Sequence, residues 1–321
     1  MVDVSTTSSS SDHDGGIKPK LLLTGATGFV GGAVLDHFRG TEPIRCLVRD
    51  ASKLDESPSS GVEVAEADLS DPESLEAAFD GIEQAYYLVH SMEAGTADDF
   101  AERDREAAQN FVDAGEKAGL KRSIYLGGVT NSGEESEHIE SRNEVEQILE
   151  DGPADLVALR ASMVIGAHSD SFLTLVQLVD RLPVLALPTW KTKLSQPVAI
   201  ADVVAALHAA RTVEPGTYDI GGPEVLTFEE LTEIVSGLLG QKHRSFPLPF
   251  SNSKLEALVA SAVVDADRDL LAPLMAGLHS NLIADDNRLA SVFGVEPTPF
   301  KEAAHSALEE LAAAGEIDEA A

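Results

Sequence analysis

The chain of 321 residues contains a single cysteine, few basic residues and no long apolar run. The single cysteine, Cys46, excludes an internal disulfide and a cysteine metal cluster. It lies within the apolar run IRCLV, which indicates a small buried hydrophobic residue rather than a reactive thiol. No run reaches the roughly 18 uninterrupted apolar residues of a membrane-spanning helix, so no membrane span is expected.

The N-terminal residues 1–18 begin MVDVSTTSSSSDHDGG and are rich in serine and acidic side chains. They lack the basic start and the apolar core of a signal peptide. We therefore expect a disordered leader and a cytoplasmic protein.

Basic residues are scarce relative to acidic ones: 23 Lys and Arg stand against 55 Asp and Glu, a formal net charge of −32. Phosphate would be repelled across most of such a surface, so no nucleic-acid partner is expected. The acids are spread along the chain, a profile typical of salt-loving microbes, where a Debye length of about 3 Å screens self-repulsion. We expect a halophilic, haloarchaeal cytoplasm, with an ordinary acidic protein as the alternative.

Short apolar strands and amphipathic helices alternate along the first half of the chain. Strands are predicted at 20–24, 44–48, 62–68, 85–90, 122–128 and 154–160, and helices at 28–38, 71–79, 97–118 and 137–150. This alternation indicates βαβ units and a parallel sheet covered on both faces. The predicted fold class is α/β, a Rossmann-like doubly wound parallel sheet with a smaller C-terminal lobe.

Beyond Gly166 the alternation loosens, with helices predicted at 169–182, 200–213 and 227–240 and a strand end at 217–222. We expect residues 19–165 to form the dinucleotide-binding domain, to which 199–222 return. Residues 166–198 and 223–321 would form the smaller lobe, lying over the carboxyl ends of the strands, where open α/β sheets bind ligands.

A glycine-rich turn follows the first predicted strand and opens the first helix, in the sequence TGATGFVG. Gly25 can make the tight turn, Gly28 lets the backbone approach a pyrophosphate, and Gly31 lets the helix pack on the strand. The amides at the helix N-terminus would hold the anion. The cofactor-binding residues predicted here are Gly25, Thr27, Gly28, Phe29, Val30 and Gly31.

The residues after the second strand decide which dinucleotide is preferred. Arg49 ends that strand, with Asp50 next and Lys53 nearby. An arginine can form hydrogen bonds to a 2′-phosphate and stack on adenine, which favours NADP(H) over NAD(H). The Asp50 carboxylate could instead accept a hydrogen bond from the ribose 2′-hydroxyl of NAD. Asp68 and the following Leu69, at the end of the third strand, are expected to reach the adenine.

Seven segments together resemble the atypical extended short-chain dehydrogenase/reductase family, over about residues 20–240. They are TGATGFVG, ADLSDPESL, AYYLVHSM, IYLGG, LRASMVIG, QPVAIADVV and YDIGGPEVLTFEEL. More narrowly, they resemble its NAD(P)-binding branch of NmrA-like and nucleoside-diphosphate-sugar-epimerase-like proteins. The resemblance implies the fold and the cofactor but no particular substrate.

The resemblance also implies a catalytic Ser or Thr after the fifth strand and a Tyr-x-x-x-Lys pair on the next helix. The chain departs from that pattern, because the helix EHIESRNEVEQIL has His138 and Arg142 at this spacing. Thr130 is the expected hydroxyl and His138 a candidate general acid. Arg142 could hold the cofactor ribose but cannot transfer protons. An exposed histidine and an arginine paired with a nearby Glu are the alternative interpretation.

His90, at the end of the fourth strand, is a second candidate proton donor and would border the nicotinamide. All four tyrosines are expected to pack in the core, and no metal site is predicted.

Two functions stay open. One is an NAD(P)-dependent oxidoreductase or epimerase-like enzyme of unknown small-molecule substrate. The other is a non-catalytic NAD(P)H-binding redox sensor or accessory subunit, NmrA-like or attached to respiratory complex I. A homo-oligomer or a larger complex is possible with either.

Overall fold

The computed structural model describes residues 20–54, 60–89, 97–129, 137–181, 185–187, 192–241, 245–247 and 281–317. Among these residues, each helix is too short or too polar to cross a membrane.

Up to residue 161 the strands follow the alternation that the sequence predicts, and the strand at 216–220 agrees with the strand end predicted at 217–222, whereas the sequence does not predict the other short strands. The strands are β1 (Leu21–Thr24), β2 (Ile44–Val48), β3 (Val62–Glu66), β4 (Gln84–Tyr87), β5 (Arg122–Gly128), β6 (Asp155–Ala161), β7 (Val164–Ile165), β8 (Leu185–Leu187), β9 (Leu194–Ser195), β10 (Val198–Ala199), β11 (Gly216–Ile220), β12 (Leu226–Thr227) and β13 (Ser245–Pro247). The helices are α1 (Phe29–Phe38), α2 (Pro72–Phe79), α3 (Ala97–Ala118), α4 (Glu137–Glu150), α5 (Asp170–Arg181), α6 (Ile200–Ala209), α7 (Phe228–Leu238) and α8 (Phe300–Ala313), with a 3₁₀ turn at Ala51–Lys53.

Seven strands form one sheet in the order β11-β6-β5-β4-β1-β2-β3. All six pairings in it are parallel. The strand order reverses between β1 and β4, and in open α/β sheets the crevice at this point is where ligands bind. The predicted Rossmann-like doubly wound sheet is confirmed.

Helices cover both faces of the sheet. Successive side chains of its apolar strands point to opposite faces, so apolar side chains on each face have to be buried under a helix. Leu21 and Leu23 of β1 belong to a core shared with α1 and α6. Leu22 belongs to the opposite core, which α2, α3 and α4 complete. Local signals fix the helix starts: the Asp71 carboxylate accepts from the Glu73 amide next to Pro72, and Thr227 and Glu230 form a capping box.

Several predicted elements end earlier than the sequence indicates, and for two of them the contacts show the reason. The strand predicted to reach residue 90 ends at Tyr87, because the Leu88 amide donates to the Thr24 hydroxyl at 3.2 Å instead of continuing the ladder. The helix predicted to reach residue 213 ends at Ala209, where the Arg122 side chain donates to the Ala210 and Val213 carbonyls. In both cases a side chain from a distant part of the chain satisfies the backbone.

A third apolar cluster joins α5, α7 and α8 beside β7. Side-chain amides tie the stretch 281–289 to the end of β11. Gln196 donates to the Gly222 carbonyl at 2.8 Å and accepts from the Ala284 amide at 3.1 Å. Asn287 bonds the Gly221 amide and carbonyl. The division into a dinucleotide-binding domain and a smaller lobe stays a prediction.

Candidate functional site

The glycine-rich turn lies at the carboxyl end of β1 and leads into α1. Gly25 has φ of +75°, a conformation that L side chains rarely adopt, and a Cβ there would lie 2.5 Å from the Leu88 carbonyl oxygen. The Gly28 amide closes the turn on the Gly25 carbonyl at 2.9 Å. A Cβ at residue 31 would lie 2.0 Å from the Gly25 oxygen. Two of the three glycines are therefore required by contacts inside the protein.

Gly28 is different, because nothing within the described chain requires a glycine there. Its φ of −89° and ψ of 172° suit any residue. A Cβ at residue 28 would meet only the Gly25 oxygen, at an ordinary 3.4 Å. Residue 28 is exposed at the start of α1, and the first amides of a helix have no partner within the helix and can bind an anion. This geometry fits a dinucleotide pyrophosphate, which needs close approach to the backbone.

Contacts with β4 and with Gly166 hold the turn in place. The Thr24 hydroxyl donates to the Tyr86 carbonyl at 3.0 Å, linking β1 to β4. The ring of Phe29 lies against Gly166, where a Cβ would stand only 2.7 Å from the ring. Thr27 is exposed and Val30 partly buried. Phe29 thus packs the cofactor turn against the end of β7.

The loop after β2 lies beside this turn, because β1 and β2 are parallel neighbours with Thr24 opposite Leu47. Arg49 and Lys53 are both exposed there. Asp50 caps the 3₁₀ turn by accepting from the Ser52 amide at 2.9 Å and from its hydroxyl at 2.6 Å, and these bonds lower the pKa of the Asp50 carboxyl. One oxygen of Asp50 is therefore engaged within the loop.

Asp68 and Leu69 follow β3 at the same edge of the sheet. Asp68 Oδ1 accepts from the Ser70 amide and hydroxyl, both at 2.8 Å. The Leu69 carbonyl accepts from the Asn110 side chain at 2.8 Å, and the Leu69 side chain is buried. These bonds fix the backbone of the segment predicted to meet the adenine.

Arg142 lies at the carboxyl end of β5. A Cβ added to Gly128 would stand 3.4 Å from Arg142 Nη1, so the guanidinium lies over the last residue of that strand. The Tyr125 hydroxyl donates to the Arg142 carbonyl at 3.2 Å, holding α4 on β5. Arg142 is partly buried, and burial lowers the pKa of its guanidinium while Tyr125 and Asp104 oppose that shift. It remains a cation at neutral pH.

The four tyrosines all take part in the internal packing, as the sequence predicts. Tyr86, Tyr87 and Tyr125 are buried, and burial raises the pKa of each phenol. The Tyr86 hydroxyl donates to the Leu207 carbonyl at 3.0 Å, and that of Tyr218 to the Glu214 carbonyl at 2.9 Å. Their raised pKa values make the three buried phenols poor proton donors at neutral pH.

Several predicted residues fall outside what the structure describes. His90 and Thr130 lie outside the described residues, and His138 lies in α4 with its side chain outside them. Their predicted roles in proton transfer and substrate orientation therefore stay predictions.

Two acidic residues near the site are buried, and nothing in the sequence around them indicates this. Asp104 on α3 is buried and accepts from the Ser141 hydroxyl at 3.2 Å. Glu146 on α4 is also buried and makes two hydrogen bonds with Arg160, at 2.8 and 2.9 Å. Arg160 is the penultimate residue of β6, and this ion pair directs its side chain towards α4. Both acids look like ordinary surface residues of acidic helices in the sequence.

Comparison with known proteins gives a consistent result. Residues 25–164 match a family described as NAD(P)H-binding. The chain is 26% identical to quinone oxidoreductase 2 of Escherichia coli over 292 residues, which cover 87% of this chain and 94% of that protein. It is 24% identical over 231 residues to an NmrA-like family domain-containing oxidoreductase of Aspergillus flavus, covering 70% and 72% of the two chains.

Solved structures share the fold. The triphenylmethane reductase of a Citrobacter species, solved with NADP(H), superposes with a TM-score of 0.72 at 23% sequence identity, covering 90% of this chain and 100% of that one. The matched segment contains the glycine turn, the loop after β2, Asp68 and Arg142, and it ends at β7. The segment that carries the glycine turn thus matches an NAD(P)H-binding family, and the whole chain is similar to NmrA-like and quinone oxidoreductases, in agreement with the predicted resemblance to atypical short-chain dehydrogenase/reductases.

Proposed function

We propose that the protein is an NADPH-dependent reductase that delivers hydride to a conjugated acceptor of the quinone class. The observation that carries this proposal is the end of β5, where Arg142 lies over Gly128 and the nearby phenol of Tyr125 is buried and bonded to the backbone. A cation is available at this position, whereas an activated tyrosine is not.

The preference for NADP(H) rests on the loop after β2. Arg49 and Lys53 are exposed beside the cofactor turn, where a 2′-phosphate would lie. Asp50, which could bind a free 2′-hydroxyl, uses one carboxylate oxygen to accept from Ser52. A guanidinium binds phosphate through two parallel hydrogen bonds, so Arg49 would supply most of the discrimination.

The class of acceptor follows from proton chemistry. The bound nicotinamide would supply the hydride. Hydride addition to an isolated carbonyl leaves an alkoxide about as basic as hydroxide, whose conjugate acid has a pKa near that of water, about 15.7. Reduction of a quinone leaves a phenolate-like oxygen with a conjugate-acid pKa of about 10. The second reaction therefore needs no activated tyrosine, and the quinone oxidoreductase of E. coli supports the same acceptor class.

The residues of the chain would divide the work as follows. Gly25, Gly28 and Gly31 shape the pyrophosphate site, and the segment of Asp68 and Leu69 meets the adenine. Arg142 donates to the ribose hydroxyls and keeps positive charge at the reacting end. His138 and His90 are the proposed proton donors, and Thr130 would orient the acceptor.

The test is NADPH oxidation by the purified protein in high salt with quinones, azo compounds, enones, aldehydes and nucleotide sugars. We expect turnover with quinones and none with nucleotide sugars. Turnover confined to aldehydes or nucleotide sugars would overturn the acceptor class. Tight NADPH binding without turnover on any compound would favour the redox sensor. Turnover that persists in His138→Ala and His90→Ala would remove both histidines as proton donors.

A further inference from the structure

A buried carboxylate lies between the two helices that cover the reacting end of the sheet. Asp104, on α3, is only 4% exposed, and its Oδ2 accepts from the hydroxyl of Ser141, on α4. Ser141 is itself only 5% exposed. Burial of a carboxylate in such a position is unfavourable unless hydrogen bonds and a countercharge compensate it.

The residue next to Ser141 is Arg142. Burial lowers the pKa of the Arg142 guanidinium, and Tyr125 and then Asp104 oppose that shift. The backbone of Arg142 is held independently, since its carbonyl accepts from the Tyr125 hydroxyl at 3.2 Å. Asp104 and Tyr125 therefore fix the same short stretch of α4 from α3 and from β5.

The guanidinium itself is left available. Among the residues that the structure describes, none accepts a hydrogen bond from it, although it carries five N–H donors. It is directed to Gly128, at the carboxyl end of β5, where the bound dinucleotide would end. A partly buried cation of this kind is stabilised by a nearby carboxylate that does not consume its donors.

We propose that Asp104 is a positioning residue that holds the Arg142 guanidinium at the carboxyl end of β5, ready to bind the ribose of the dinucleotide. This inference rests on the proposed role of Arg142 towards the cofactor. In this role Asp104 would act on the cofactor through the charge of Arg142 and through Ser141.

The experiment is a double-mutant cycle on the dissociation constant of NADPH, measured by cofactor fluorescence without any acceptor. The variants are Asp104→Asn, Arg142→Gln and the pair together. Asp104→Asn keeps the shape of the side chain and removes its charge. We expect it to weaken NADPH binding on the order of tenfold in the wild-type background and to have no further effect once Arg142 is replaced.

Asp113→Asn is the matched control, because Asp113 is an exposed acid on the same helix and its loss changes the net charge equally. It should leave the NADPH dissociation constant unchanged. Thermal unfolding of each variant shows whether it is folded, and Ser141→Ala tests the same link without changing charge, with a smaller loss expected.

Losses from Asp104→Asn and Arg142→Gln that simply multiply in the double variant would overturn the inference, since Asp104 would then act independently of Arg142. An unchanged NADPH affinity in Asp104→Asn would overturn it as well. Neither outcome depends on turnover, so failure of the protein to reduce quinones would refute the proposed reaction while this cycle still decides the role of Asp104.

Discussion

Gly31 lies so close to Gly25 that a Cβ on residue 31 would stand 2.0 Å from the Gly25 carbonyl oxygen. The same oxygen accepts a hydrogen bond from the Gly28 amide at 2.9 Å, so the Gly25 carbonyl contacts both ends of the turn. Gly28, in contrast, has room for a Cβ at 3.4 Å from that oxygen. One glycine thus serves the packing of helix on strand, and the other leaves space for something outside the protein.

This difference predicts opposite outcomes for two similar substitutions. Gly31→Ala forces α1 away from β1 and should lower stability by about 3 kcal/mol or more, with NADPH binding lost as a consequence. Gly28→Ala should keep the unfolding temperature but weaken NADPH binding by at least about tenfold, because the methyl group occupies the pyrophosphate space. Thermal unfolding and NADPH titration separate the two effects.

Gly32→Ala is the control for both substitutions, since a Cβ there lies 3.6 Å from the Ala26 oxygen, an ordinary contact. It should be neutral or stabilise the protein by about 0.5–1 kcal/mol, as expected for alanine in a helix. Normal NADPH affinity in Gly28→Ala would contradict the placement of the pyrophosphate at this turn.

Replacing Arg49 should change the choice of cofactor. Arg49→Gln removes the charge proposed to bind the 2′-phosphate, so affinity for NADPH should fall about tenfold or more while affinity for NADH changes little. The ratio of the two dissociation constants is the measurement. Arg39→Gln, which removes another exposed arginine at the far end of α1, should leave this ratio unchanged. Equal losses for both cofactors would refute a 2′-phosphate contact.

Much of this architecture could be predicted from the sequence, because short stretches of sequence determine where its strands and helices begin and end. β1, β2 and β5 are short apolar runs flanked by turn residues, and α2 begins at Asp71 with Pro72, signals that need no tertiary information. The glycine turn was identifiable because its spacing and its place after the first strand act together.

The electrostatic surroundings of the site could not be predicted in this way. Asp104 and Glu146 differ from other acids of α3 and α4 only in which helix face they occupy, and in so acidic a chain that signal is lost among neighbouring carboxylates. The commitment of Asp50 to Ser52 likewise depends on the conformation of a three-residue turn. Such contacts are properties of the assembled fold.

His208 should make stability depend on pH near neutrality. Its imidazole lies 2.9 Å from that of His37, stacks on Phe38 and is close to Arg211 and Glu42. Burial, followed by His37 and Arg211, lowers the pKa of His208 below its usual 6.5, and Glu42 opposes this. Between these two pKa values the unfolded chain binds a proton at His208 that the folded protein does not bind. The contribution of neutral His208 to the stability of the fold is therefore complete above the pKa in the unfolded chain, and it is lost as pH falls through the pKa in the folded protein.

The corresponding measurement is the unfolding temperature from about pH 8 to about pH 5. The wild-type protein should lose more stability towards acid than His208→Gln does. His305→Gln, on the exposed side of α8, should behave as the wild type. Parallel curves for the wild type and His208→Gln would show that His208 does not titrate as described.

The excess of acidic residues predicts a strong dependence on salt. With a formal net charge of −32, the folded chain repels itself in dilute buffer, and about 1 M KCl reduces the Debye length to about 3 Å. The unfolding temperature should therefore rise between dilute buffer and molar KCl. A constant or falling temperature would contradict the expected adaptation to a salt-rich cell interior.

Hydride transfer from NADPH to a quinone can be measured directly as NADPH consumption with a soluble quinone, using cofactor deuterated at the hydride position. We expect one hydroquinone for each NADPH consumed, a slower rate with deuterium, and turnover that persists in Tyr125→Phe, because the Tyr125 hydroxyl donates to the Arg142 carbonyl and does not serve as the proton donor. No consumption with any quinone, or loss of turnover in a folded Tyr125→Phe variant, would contradict the proposed reaction.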